Sequence, residues 1–271
     1  IVVRRGILLV LALVTGAAPV AAQTTPPAQS TAQPSGAEFL PRFDFHVSME
    51  HLVSDEKRFV WDANFGADLD IVDYGGGRLR FVANYQTILG SEFREFDPNQ
   101  GNYILEGSVS ARAAALELAG VFHHESRHLS DRPKRDPVDW NMVGVRLQSG
   151  VRRGRTELRG RVDFRGVVER TLVDYRWEVD SDVAARVGLG PRVAVVATGG
   201  LRLLGVDGSR NRGTQYGYRG EGGLRIDGPG AALDLFVAAE RRIDPYQLEF
   251  STVTWLTTGF RVSSRAPSRV P

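Results

Sequence analysis

The chain has 271 residues, with 34 Lys and Arg against 32 Asp and Glu and a formal net charge of +2. That near balance argues against a nucleic-acid-binding protein, which shows a basic excess clustered on one face. There is no cysteine, so disulfides and thiolate chemistry are absent, and the length suits one large β domain or two small ones.

Residues 1–22 read as a secretory signal. Arg4 and Arg5 form the basic start, residues 7–14 the apolar stretch, and Ala21 and Ala22 belong to a run of small residues that predicts cleavage after Ala22. The apolar stretch is shorter than the roughly 20 residues a membrane-spanning helix needs. Residues 23–40 are expected to be a disordered linker, rich in Pro, Thr, Ser, Gln and Ala.

From Pro41 onward, apolar residues fall on every second position. Phe43, Phe45, Val47 and Met49 alternate with Asp44, His46, Ser48 and Glu50. Phe59, Trp61, Ala63, Phe65, Ala67, Leu69 and Ile71 form a second such run, and Leu79, Phe81, Ala83, Tyr85 and Leu89 a third. A period of two is the strand signature, because successive side chains point to opposite faces. Tyr103, Leu105 and Val109 mark a fourth strand. An apolar run over 113–122 marks a fifth, ending in a histidine cluster at 122–131. Val143 to Leu147, Leu158 to Phe164, Val173 to Val187, Val193 to Leu203, Tyr216 to Ile226, Leu233 to Val237 and Leu248 to Val262 mark the remaining apolar faces. Each run is about ten residues, enough for a tilted strand to cross a bilayer.

The connections alternate in length. Residues 75–77, 152–154, 188–191 and 227–230 are tight turn sequences, whereas 90–101, 129–138, 205–214 and 243–246 are longer or more polar. Short turns at one end and long loops at the other are the asymmetry of bacterial outer-membrane barrels. The polar face is densely charged with both signs, including Arg78, Glu106, Arg146, Asp163, Arg176 and Glu178, which suits a lumen of cross-strand ion pairs. A soluble sandwich or lipocalin-like barrel would call for fewer apolar faces. The predicted fold is all-β: a transmembrane antiparallel up-and-down barrel of about twelve strands over 41–264, with a tail over 265–271. It is expected in the bacterial outer membrane. Thr258-Gly259-Phe260-Arg261-Val262 resembles the terminal-strand signal that such barrels present to the barrel-assembly machinery.

Strand parity divides the histidine cluster. The outward face of the fifth strand is even-numbered (Ala114, Leu116, Leu118, Gly120, Phe122), which places His124, Ser126 and His128 on the lipid side, near the outer-leaflet interface. Glu117, His123, Glu125 and Arg127 point into the lumen, where an ion-pair network is expected. The sixth strand faces lipid at odd positions, so Asp139 and Asn141 join the outer patch. A symmetric loop would place His128 opposite Asp139 and Ser126 opposite Asn141. Ser126 and His124 on one face supply a hydroxyl and the imidazole to take its proton, and Asn141 or Asp139 could orient the ring.

His124-Glu125-Ser126 with Asn141 or Asp139 on the next strand resembles the H-x-S motif of outer-membrane phospholipase A and of the lipid A 3-O-deacylase family. The string His124-Glu125-Ser126-Arg127-His128-Leu129-Ser130-Asp131 also resembles an uncharacterised barrel family with the pattern H-x-S-S-H-L-G-D. In the two lipase families a barrel-exterior His and Ser hydrolyse a lipid ester. The resemblance therefore implies a serine-type acyl hydrolase with Ser126 as nucleophile and His124 as base. Its substrate would be an outer-membrane lipid or lipopolysaccharide, and calcium is the only cofactor the resemblance allows. Arg127-His128 after the serine depart from the lipase pattern, as does the gap to Asn141. His128 and Asp131 stand in a second rank. His124 and His128 lie roughly 13 Å apart in an extended strand, too far to share one metal ion. The competing expectation is a non-enzymatic barrel, structural or a narrow pore, in which the cluster is a wet strand end. The dispersed charge predicts no nucleic-acid partner.

Overall fold

The computed structural model describes residues 36–130, 138–246 and 249–264. The predicted signal segment, residues 23–35 of the predicted linker, Asp131 and the predicted tail lie outside the described residues. The described residues form twelve strands: β1 (Glu38–Leu52), β2 (Trp61–Asp73), β3 (Arg78–Gly90), β4 (Asp97–Ala113), β5 (Leu116–Leu129), β6 (Val138–Arg153), β7 (Thr156–Thr171), β8 (Tyr175–Gly188), β9 (Val193–Val206), β10 (Gln215–Asp227), β11 (Ala231–Ile243) and β12 (Thr252–Ser264). Each pairs with its sequence neighbour, and β1 pairs with β12, so the sheet closes into a barrel. The closing ladder runs only from His46↔Ser263 to Leu52↔Thr257. The β6–β7 ladder runs from Asp139↔Thr171 to Arg153↔Thr156.

The alternation in the sequence becomes the two faces of the wall. Outward residues are large and apolar, with Leu118 at 56%, Val145 at 52% and Leu256 at 64% exposure. Inward residues are charged and buried, Asp62, Asp163 and Glu178 among them. An apolar belt on that scale is not a water-facing surface. A closed barrel also leaves no unpaired strand edge, the condition for crossing hydrocarbon with strands. The fold is a transmembrane up-and-down barrel.

Short turns join β2 to β3, β6 to β7, β8 to β9 and β10 to β11, at the predicted positions. A fifth had no sequence signal. The apolar run over 113–122 is not one strand: Ala113 ends β4, and Ala114 and Ala115 turn the chain into β5. Ala114 takes a left-handed φ of 53° with neither Gly nor Asn to mark it. At the other end, β4 begins at Asp97, inside the predicted 90–101 loop, and β1 begins at Glu38, inside the predicted linker.

The lumen is layered. Toward the short turns, Arg78 bridges Asp70 and Glu117, at 3.0 and 2.8 Å. At mid-height, Arg146 donates two hydrogen bonds to Glu106 (2.6 and 2.8 Å) and one to Asp163 (2.7 Å). Arg165 pairs with Glu178 and Asp180, and Arg202 with Glu178. Toward the long loops the filling turns apolar. Val138, Trp140, Met142, Val173, Tyr175, Leu204 and Ile243 make one cluster, and Leu52, Phe59, Ile88 and Trp255 another. The segment after β11 folds across this end: the Arg127 guanidinium donates to the Asp244 carbonyl (2.7 Å) and the Tyr175 hydroxyl to its carboxylate (2.8 Å). Outward belt, ion-paired middle and apolar upper plug together fix the wall on which the histidine cluster sits.

Candidate active site

β4, β5, β6 and β7 lie side by side and carry the cluster on their outer face. His124 pairs across the sheet with Leu105 on one side and Asn141 on the other, and Ser126 with Tyr103 and Asp139. The predicted register, with His128 opposite Asp139 and Ser126 opposite Asn141, is therefore shifted by two residues. An even slip keeps every side chain on its own face, so alternation could not choose between the two. The observed register places Arg146 opposite the small Ala119, and the guanidinium reaches past it to Glu106 on β4.

The shift changes which side chains meet. His124 Nδ1 lies 2.7 Å from Asn141 Oδ1. Asn141 Nδ2 in turn donates to Glu169 Oε2 at 2.8 Å. Glu169 was not expected at the site. A β-bulge puts it there: Asn141 faces Glu169 while Met142 faces Val167, so Val168 is an extra residue in β7. Two neighbouring residues, Val168 and Glu169, then both lie exposed. A bulge of this kind re-aims the side chain beside it.

Ser126 is 8% exposed, held between its cross-strand partners Tyr103 and Asp139. Ser126 and His124 share a face about 7 Å apart at Cα, two residues along the strand. Among the described residues the Ser126 hydroxyl makes no hydrogen bond to the ring. Such bonds are often long in a ligand-free enzyme and tighten with substrate. His128 belongs to a different contact, edge-on to the Tyr103 ring at 5.6 Å. Tyr103 continues into a row with Tyr85 (4.8 Å) and Phe65 (5.1 Å) on the outer wall. Phe65, Tyr85, Tyr103 and Ser126 are successive cross-strand partners, so the row leads across the wall to Ser126. Aromatic rows on a barrel exterior mark the bilayer interface, the depth of lipid headgroups and ester bonds.

Of the four lumen residues, Glu125 and Arg127 pair with each other, whereas Glu117 and His123 make contacts elsewhere. Glu117 takes Arg78 and Arg112 near the short turns. His123 Nδ1 lies 3.1 Å from Glu106. Glu125 lies 3.3 Å from Arg127 and 3.7 Å from Arg202. A calcium ion asks for six to eight oxygens. Among the described residues no group of three or more His, Cys, Asp or Glu could hold a metal ion.

No family model and no curated protein matches the chain. Among solved structures, outer membrane phospholipase A from Escherichia coli superposes with a TM-score of 0.52 at 12% identity, over 84% of this chain and 98% of that one. The Salmonella typhi outer membrane phospholipase, a dimer with bound calcium, gives 0.52 at 12% identity, over 83% and 91%. LpxR from Salmonella typhimurium gives 0.47 at 10% identity, over 82% and 99%. At these identities the phospholipase likeness speaks to fold: the chain is similar to outer-membrane barrels.

Proposed function

We propose that this barrel resides in a bacterial outer membrane and hydrolyses an acyl ester of an outer-leaflet lipid, a phospholipid or lipopolysaccharide. The observation that carries the reading is the 2.7 Å contact between His124 Nδ1 and Asn141 Oδ1 on the outer wall, two residues along the strand from Ser126. Ser126 is the nucleophile, His124 the general base and Asn141 the orienting group. Asp139, directly across from Ser126, is the second acidic neighbour. His124 Nε2 takes the hydroxyl proton as Ser126 Oγ bonds to the ester carbon. The ester C–O bond then breaks, and the leaving alcohol takes the proton from Nε2. Water, deprotonated by the same nitrogen, releases the fatty acid and restores Ser126. Entry to the membrane runs through a cleaved signal peptide and the barrel-assembly machinery.

The test is fatty-acid release from phospholipid and from lipopolysaccharide by refolded protein and by Ser126→Ala, with calcium and with chelator. Release by the wild type and none by Ser126→Ala supports the reading; equal release from both ends it.

The second reading is a non-enzymatic barrel. The observation favouring it is the obstruction of the lumen by ion pairs at mid-height and by an apolar plug toward the loops. On this reading the barrel is structural rather than a pore, and planar bilayers holding it stay silent at all voltages. Stepwise conductance would reinstate the pore.

A further inference from the structure

We propose that Glu169 is a positioning residue that sets the tautomer of His124 through Asn141; the inference rests on the hydrolase reading for its purpose but not for its geometry. Without the bulge, position 169 would continue the inward parity of Asp163, Arg165 and Val167. The extra residue Val168 brings Glu169 out beside Asn141 instead.

The consequence is a chain of forced choices. An ionised carboxylate only accepts hydrogen bonds. The Asn141 atom 2.8 Å from Glu169 Oε2 must then be the amide nitrogen, which leaves the carboxamide oxygen facing the ring. That oxygen also only accepts, so His124 Nδ1 must carry the hydrogen, and a neutral ring then has a bare Nε2. Nε2 is the nitrogen that can take a proton from Ser126. An isolated neutral imidazole side chain favours the opposite tautomer, with hydrogen on Nε2. Asn141 alone does not decide the matter, because its amide can turn over and offer NH₂ to the ring. Glu169 removes that freedom.

Three substitutions separate charge from hydrogen-bond direction. Glu169→Gln removes the charge and can offer either an oxygen or an NH₂ to Asn141, so it should weaken the preference without reversing it. Glu169→Ala removes the acceptor and frees the amide to turn. Glu169→Lys puts a donor in its place and reverses the amide. The position is exposed, and heat-modifiable migration on gels checks that each barrel has closed.

The experiment is ¹⁵N spectroscopy of histidine-labelled full-length protein in micelles at about pH 8, where an ordinary imidazole is neutral. The His124 signals are those lost in His124→Gln. The wild type should show protonated Nδ1 and bare Nε2, with Glu169→Gln between it and Glu169→Ala. Glu169→Lys should show the reverse, and Glu169→Ala a mixture. In parallel, kcat for fatty-acid release should fall about a hundredfold in Glu169→Lys with KM little changed, the low end of what general-base catalysis contributes. One tautomer across all four proteins, or a protonated Nε2 in the wild type, overturns the inference. A tautomer that responds as expected in a protein releasing no fatty acid upholds the role of Glu169 and overturns the hydrolase reading instead.

Discussion

His124 and Asn141 stand directly opposite each other on β5 and β6, with ring Nδ1 and amide Oδ1 2.7 Å apart. Their Cα atoms are ladder partners, so the contact is held by the sheet rather than by a loop. Replacing Asn141 by Ala should leave the barrel folded and lower kcat about tenfold to a hundredfold, because the ring loses its orientation but keeps its chemistry. Asn141→Gln should recover little, since the longer side chain cannot hold the same oxygen over Nδ1. Steady-state fatty-acid release reads both. An Asn141→Ala rate equal to wild type would remove this residue from the site.

Arg146 is 2% exposed and pairs with both Glu106 and Asp163. Arg146→Met leaves two carboxylates short of their shared partner inside the wall. Breaking such a buried pair should cost about 3–5 kcal/mol, read as a lower urea midpoint in vesicles. Adding Glu106→Gln and Asp163→Asn to the Met variant should recover part of the loss. Stability unchanged by Arg146→Met would mean that water, not the pair, solvates these carboxylates.

Val145 lies mid-strand on the apolar belt at 52% exposure. An arginine there would sit in hydrocarbon, and Val145→Arg should destabilise the folded barrel by about 2–4 kcal/mol in bilayers. In a water-facing wall the same change would be nearly neutral. Equilibrium unfolding in vesicles distinguishes the two.

Ala114 turns β4 into β5 with φ 53°. A left-handed conformation costs a residue with a Cβ about 1–2 kcal/mol. Part of that is offset by the greater chain entropy glycine brings to the unfolded state, so Ala114→Gly should stabilise the barrel by about 0.5–1 kcal/mol. A lower unfolding midpoint for the glycine variant would show that the turn is not strained.

Most of the barrel was legible because alternation and turn chemistry are local. Phe43, Phe45 and Val47 face outward in β1 as their spacing predicts, and the glycine-rich turns fall where expected. The site was legible only as a face. That His124 and Ser126 look outward follows from parity, whereas the partner of each depends on a register that parity leaves open by two residues. Glu169 was illegible for a related reason. The bulge puts consecutive residues on one side, and a pattern of strict alternation reads that as the end of a strand. The Ala114 turn was missed because alanine does not announce a positive φ. The apolar plug drew on Trp140 and Met142, which sit on the inward face that charge had marked as polar, and on Tyr175, expected on the outward face with Trp177 but turned inward beyond the register shift between the two.

The short ladder between β1 and β12 makes the barrel's two ends unequal in time as well as space. Every other ladder joins strands adjacent in the chain, so each can zip from its own hairpin. The seam alone must bring the first strand to the last, at the largest loop-closure entropy in the molecule. Loop-closure entropy predicts that it forms after the rest of the wall and is the first to part when the wall is strained. Glu50 sits in that seam, holding Thr257 at 2.6 Å and Arg219 at 2.9 Å. A carboxylate there acts as a clasp, joined by the Ser264 hydroxyl that accepts from the Phe45 N–H at 2.8 Å: the barrel latches through polar side chains where it has the least backbone to rely on.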